Sequence, residues 1–177
     1  MAFSVPFSYG NCERRRSRRP AAVEPTALPR YGRASAEPQR STIAEAIESV
    51  EGIGKGFAEK LKALGVKTTD QFLERAKDRR GREALAAELG IDEGRVLRWA
   101  NHCDLYRIRG VAGEMAELLE AAGVDTVREL ARRVPANLAE AMEAANGRRK
   151  LVRVVPGETV VAKWVEEAKG LPALLTH

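Results

Sequence analysis

The run Gly52-Ile53-Gly54-Lys55-Gly56 holds the residue types in this chain best suited to chemistry. Glycine accepts positive φ and lets backbone amides approach another molecule closely. A helix that starts just after such a corner leaves its first amides without intrahelical acceptors. The amides of Gly54, Lys55 and Gly56 would then face outward with the positive end of the helix dipole behind them, which suits a phosphate oxygen. Lys55, Lys60 and Lys62 supply charge for a neighbouring phosphate, and Gly52 shapes the corner. Contacts of this kind position a protein on a nucleic-acid backbone and carry no base information.

A second group lies near the start of the chain. Phe3, Phe7 and Tyr9 precede Arg14, Arg15, Arg16, Arg18 and Arg19, a pattern that fits a short segment docking on an acidic surface. Residues 1–42 contain eight arginines against three glutamates, which alone accounts for the net charge of +5. From residue 43 onward, 22 basic residues face 22 acidic ones. The basic character therefore belongs to the first segment, and no broad positive field is expected of the rest. Rich in Arg, Pro, Ser and Ala and without apolar periodicity, residues 1–42 are expected to be a disordered tail. A solvated linker, a partner-binding arm and an organelle transit peptide all fit it. No apolar core region of a secretory signal is visible, and no stretch approaches the ~20 apolar residues that span a bilayer. A cytoplasmic location is expected, or an organelle matrix if the segment is a transit peptide.

Catalytic candidates are few. There is no nucleophile–base pair, no P-loop and no metal-ligand spacing. Cys12 and Cys103 suggest neither a disulfide framework nor a zinc site, and His102-Cys103, adjacent on a helix, cannot face one metal together. Asp70 and Asp78 lie downstream of the glycine corner, where some glycosylases place a catalytic Asp, but Asp70 is explained as an acidic residue in the first turn of a helix. No enzyme activity, cofactor, metal, membrane or small-molecule substrate is expected.

The elements that must position the glycine corner show a duplication. From Gly52 to Thr68, eight of seventeen residues recur at an offset of 58, from Gly110 to Thr126. Such self-similarity marks a repeated structural unit. In the first copy an apolar helix end (Ile43, Ile47, Val50) runs into the corner. A helix follows with Phe57, Ala58, Leu61 and Leu64 on one face, and Gly65 stops it. Thr68 and Gln71 form a capping pair, as do Thr126 and Glu129 in the second copy. Asp92 caps the helix that bears Trp99. Leu138 and Met142 mark a helix expected to end at Asn146-Gly147, and Trp164 lies on the last helix. The Trp–Trp spacing is 65, so seven extra residues fall in the second copy, most simply between Gly147 and Thr159. Leu151–Val155 is the one strand candidate. The expected fold class is all-α: repeat one at 43–104 and repeat two at 105–170, packed into one helical domain around Phe57, Leu61, Trp99, Leu119, Leu130 and Trp164.

The corner and its flanking helices resemble the helix-hairpin-helix motif of many DNA-repair and replication proteins, with Ala58 as the small residue where the two helices touch. Residues 43–170 as a whole resemble an uncharacterised family classed as a domain of unknown function. It has a tandem helix-hairpin-helix layout and a Glu-Gly-Ile-Gly…Ala-Glu-Lys-Leu…Leu-Gly-Val sequence near its start. The resemblance implies the fold; gripping of duplex DNA is an analogy from better-known tandem hairpins. Two departures matter. Glu51 stands where DNA-binding members often have Pro, and in the second copy Ala112 replaces the second glycine while Glu114, Glu117 and Glu120 follow. The second hairpin is thus expected to be an architectural corner, and the first either a corner or a phosphate site. The leading expectation is a non-catalytic module with weak, sequence-independent affinity for nucleic-acid backbone. The alternative is a protein–protein adaptor whose Phe/Tyr/Arg tail docks on a larger assembly.

Overall fold

Eight α-helices and one 3-10 turn make up the computed structural model, which describes residues 44–176 together with Met1. The turn at Ile47–Ser49 leads into α1 (Lys55–Ala63), α2 (Thr69–Ala76), α3 (Arg79–Leu89) and α4 (Glu93–Leu105). Then come α5 (Glu114–Ala121), α6 (Val127–Leu130), α7 (Pro135–Arg149) and α8 (Glu158–Gly170). The fold is all-α. Among the described residues there is no strand, only an isolated antiparallel bridge between Ala46 and Thr68. Leu151–Val155, the strand candidate, is irregular.

Side-chain caps set most boundaries. Thr68 Oγ1 accepts from the Gln71 amide and Gln71 Oε1 from the Lys67 amide. Thr126, Glu129 and Asp125 repeat the arrangement 58 residues later. Asp78 and Asp92 cap α3 and α4 by accepting from Gly81 and Gly94. These bonds satisfy amides a helix start leaves unpaired.

Gly65 and Gly123 terminate α1 and α5 identically, each at φ +82°. The amide of Val66 bonds Leu61 O, and that of Val124 bonds Leu119 O, with all four side chains buried. This is a Schellman ending sealed by an apolar contact, and it explains why Leu, Gly and Val recur together. It also displaces Leu64. Expected on the buried face, Leu64 is the C-cap residue of α1 and stays 38% exposed, because Val66 takes the inward place.

One core runs through the described unit, from Ile47 and Leu61 through Trp99 and Tyr106 to Leu119, Leu130 and Trp164. α2 packs on α3 and α4, α5 on α4 and α7, and α8 on α6 and α7. Phe57 is only half-buried, set edge-on to Trp99 at 5.4 Å between ring centres. Two buried arginines hold the last described residues. Arg82 donates to Ala76 O and Thr176 O and pairs with Glu93. Arg107 pairs with Asp104 at 2.6 Å and donates to Pro172 O.

Candidate functional site

Val50 and Ile53 are buried on either side of the first glycine corner and pin it to the core. The chain reaches the corner through the single turn Ile47–Ser49 rather than through an α-helix. Gly52 makes the bend at φ +83°, and a Cβ there would lie 3.1 Å from Trp99 Nε1. The fold therefore requires glycine at 52. Gly54 and Gly56 differ: Gly54 is the N-cap of α1 at φ −71°, and a Cβ added to either would meet nothing within 4 Å. Gly54 O accepts from Phe57 and Ala58. The amides of Gly54, Lys55 and Gly56 donate to no acceptor among the described residues. Three exposed donors thus stand at a helix start, flanked by two glycines for which folding has no steric need.

The cations around them are not the set expected. Lys55 is exposed and makes no ion pair among the described residues. Lys60 approaches Leu89 O at 3.4 Å and the Phe57 ring at 5.7 Å. Lys62 is paired with Glu48 at 2.7 Å, and its hydrogen bond and charge hold the Glu48 carboxyl below its ordinary range. In their place stands Arg95, contributed by α4. Its guanidinium sits 4.9 Å from the Phe57 ring centre and 5.2 Å from that of Trp99, with Nη2 3.5 Å from Gly52 O. Arg95, Phe57 and the corner line an open groove of about 470 Å³ that also includes Glu48 and Glu51. Of the expected residues, Gly52, Gly54, Lys55 and Gly56 come together here, whereas Lys60 and Lys62 stand at the margin, against Phe57 and Glu48 of the groove wall. Arg95 lies 43 residues from Gly52, so nothing local in the sequence links them.

The second corner has the same bend but different chemistry. Gly110 also has φ +83°, and Trp164 Nε1 donates to Arg109 O at 3.0 Å. Ala112, half-buried, occupies the place of Gly54, and Gly113 caps α5 at φ +45°. The Gly113 amide donates to Tyr106 Oη at 2.8 Å, and that hydroxyl donates to Ser49 O at 3.2 Å. Burial pushes the Tyr106 phenol up to about 12, so it keeps its proton for the Ser49 bond. One hydroxyl therefore ties the two corners together and occupies a helix-start amide of the second. Arg107 is buried with Asp104, whose other oxygen accepts from the Val127 amide at the start of α6.

The remaining reactive residue types are in structural use. Burial raises the Cys103 thiol, which stays protonated. His102 is buried with Nε2 2.9 Å from Glu120, which Arg98 also contacts. Asp70 lies in the first turn of α2, and Asp78 is the α3 cap. Among the described residues no group of three or more His, Cys, Asp or Glu is arranged to hold a metal, and no helix is long and apolar enough to cross a membrane. Phe3, Phe7, Tyr9, Arg14, Arg15, Arg16, Arg18 and Arg19 lie outside the described residues.

The chain belongs to the family described as Domain of unknown function (DUF4332), which matches residues 51–171. No curated protein and no solved structure matches it.

Proposed function

We propose that this member of the DUF4332 family is a non-catalytic helix-hairpin-helix module that binds nucleic-acid backbone through its first corner. The observation that carries the reading is the pair Gly54 and Gly56. Neither needs to be glycine for the fold, and both flank unpaired amides at the start of α1. A phosphate oxygen that must reach those amides does need the space. Lys55 and Arg95 stand beside the site as counter-charges, and Phe57 offers an apolar edge. In the second corner a tyrosine hydroxyl takes up a helix-start amide and Ala112 stands where the first corner has Gly54, which favours an architectural role even though exposed Arg109 lies beside it.

The affinity is expected to be low. Two or three phosphates at −0.9 each give a salt slope of about −2 to −3 and binding on the order of 10⁻⁴ M. Glu51, exposed beside the corner, opposes it further, and the arginine tail would supply much of the remaining attraction. The adaptor reading is favoured by one observation, the equal numbers of acidic and basic residues beyond residue 42. Anisotropy of a labelled duplex separates the two. The full chain should bind with salt-sensitive affinity that Gly54→Glu weakens while helicity is unchanged. Binding that Gly54→Glu leaves intact removes the corner from the function.

A further inference from the structure

The end of α7 departs from expectation in a way that points to a second site. Asn146-Gly147 does not stop the helix, which runs on through Arg149 and ends at Lys150. Lys150 adopts the left-handed conformation (φ +52°, ψ +47°), as the one non-glycine residue with positive φ among those described. Its amide bonds Asn146 O. The helix that ends on the same geometry, α3, uses Gly90 (φ +69°, ψ +41°), with its amide on Ala86 O. L side chains are disfavoured there, and glycine is the residue that folding selects. At 150 the chain carries a lysine instead.

That lysine belongs to a rigid, exposed, cationic loop. The Asn146 side chain clamps Val152 from both directions, donating to its carbonyl at 3.0 Å and accepting from its amide at 2.9 Å. Arg148, Arg149, Lys150 and Arg153 are all exposed around this closure. None of the four side chains makes an ion pair or hydrogen bond among the described residues. Of the eleven other described arginines, five (Arg75, Arg79, Arg82, Arg98 and Arg107) have carboxylate partners, and the unpartnered ones do not gather on one short loop with a lysine as these do. Favourable interaction with the negative end of the α7 dipole explains Arg148 and Arg149. It explains neither a lysine in a left-handed conformation nor Arg153 beyond the clamp.

We propose that the loop 148–153 is a phosphate-backbone contact for nucleic acid, separate from the glycine corner. Four unpaired cations held on a short closed loop match a narrow polyanion, and neutralising phosphates releases condensed counterions. An anionic membrane fits less well. Exposed Glu140, Glu143 and Glu158 bracket the loop in sequence and oppose a broad anionic surface. Within the loop itself, Leu151 and Val152 are tucked inward, and the single exposed Val154 beside Arg153 offers little apolar area for lipid.

The test uses the full chain and a labelled duplex at several salt concentrations, with Gly54→Glu run in parallel to read the glycine corner independently. Arg148→Gln/Arg149→Gln/Arg153→Gln should reduce the magnitude of the salt slope by about 2–3 and weaken binding by about tenfold at low salt, with unchanged helicity. Lys150→Gly should melt higher than the parent yet bind more weakly, a combination that a purely structural loop does not produce. An unchanged slope in the triple variant overturns the proposal, as does a Lys150→Gly protein that binds like the parent. Loss of binding to phosphatidylserine vesicles in the triple variant, with duplex binding intact, also overturns it by assigning the loop to a membrane.

Discussion

Replacing two glycines of one corner by alanine should move stability in opposite directions. At Gly52 the backbone has φ +83°, and the new methyl would stand 3.1 Å from Trp99 Nε1. The left-handed penalty is about 1–2 kcal/mol, and displacement of a buried indole adds to it. Gly52→Ala should therefore lose about 2 kcal/mol, or roughly 5–10 °C in Tm for a domain of this size. Gly56 lies in the first turn of α1, exposed, with open space where its Cβ would be. Alanine is the better helix former, by up to about 1 kcal/mol. Gly56→Ala should raise Tm by a few degrees, on the order of 2–4 °C. The same methyl projects beside the amides of Lys55 and Gly56, so duplex binding by anisotropy should weaken as Tm rises. Thermal melts by circular dichroism and anisotropy on the same samples give both readouts. A Gly56→Ala protein that is more stable and binds equally well would refute the claim that this glycine keeps space for phosphate. A Gly52→Ala protein as stable as the parent would refute the geometric account of the corner.

Three further outcomes follow from the buried polar groups. Asp104→Ala strands the Arg107 guanidinium and frees the Val127 amide, so denaturant titration should show a loss of about 3–5 kcal/mol. Tyr106→Phe removes the hydroxyl that links Ser49 O to the Gly113 amide and should cost about 1–3 kcal/mol in the same assay. Burial alone raises the Glu120 carboxyl, but hydrogen bonds from His102 and Arg98 outweigh it and hold the group below its ordinary value. A depressed carboxylate stabilises fully above its unfolded pKa of about 4.3 and loses that contribution as pH falls through the folded value. Melting of Glu120→Gln against the parent should therefore show a gap that is constant near neutrality and closes in acid.

Much of the fold was legible because its devices are local. The Leu-Gly-Val endings of α1 and α5, the Thr68 and Thr126 caps, and the aspartates at 78 and 92 act within a few residues of themselves. The tryptophans were legible through spacing alone, since Trp99 and Trp164 each recur behind a glycine bend. What the sequence did not reveal is what depends on neighbours in space. Lys62 looked available until Glu48, fourteen residues away, paired with it. Arg107 is buried between Asp104 and Pro172 O, a place that nothing next to it in the sequence reveals. Arg95 was invisible as a site residue, because its place over Phe57 exists only once α4 packs beside the corner. Asn146-Gly147 read as a stop, but α7 runs two residues beyond Gly147 and ends on Lys150 in the left-handed conformation. The first corner's entering helix shrank to the single turn Ile47–Ser49.

The central claim is that three amides at the start of α1 receive phosphate. Amide NMR of the nitrogen-labelled full chain, titrated with a short unlabelled duplex, addresses it at the atoms concerned. The account predicts that the Gly54, Lys55 and Gly56 resonances shift progressively, that the Arg95 side chain responds with them, and that added salt reverses the change. Shifts confined to the arginines of residues 1–42, with the three amides unmoved at saturation, would contradict it.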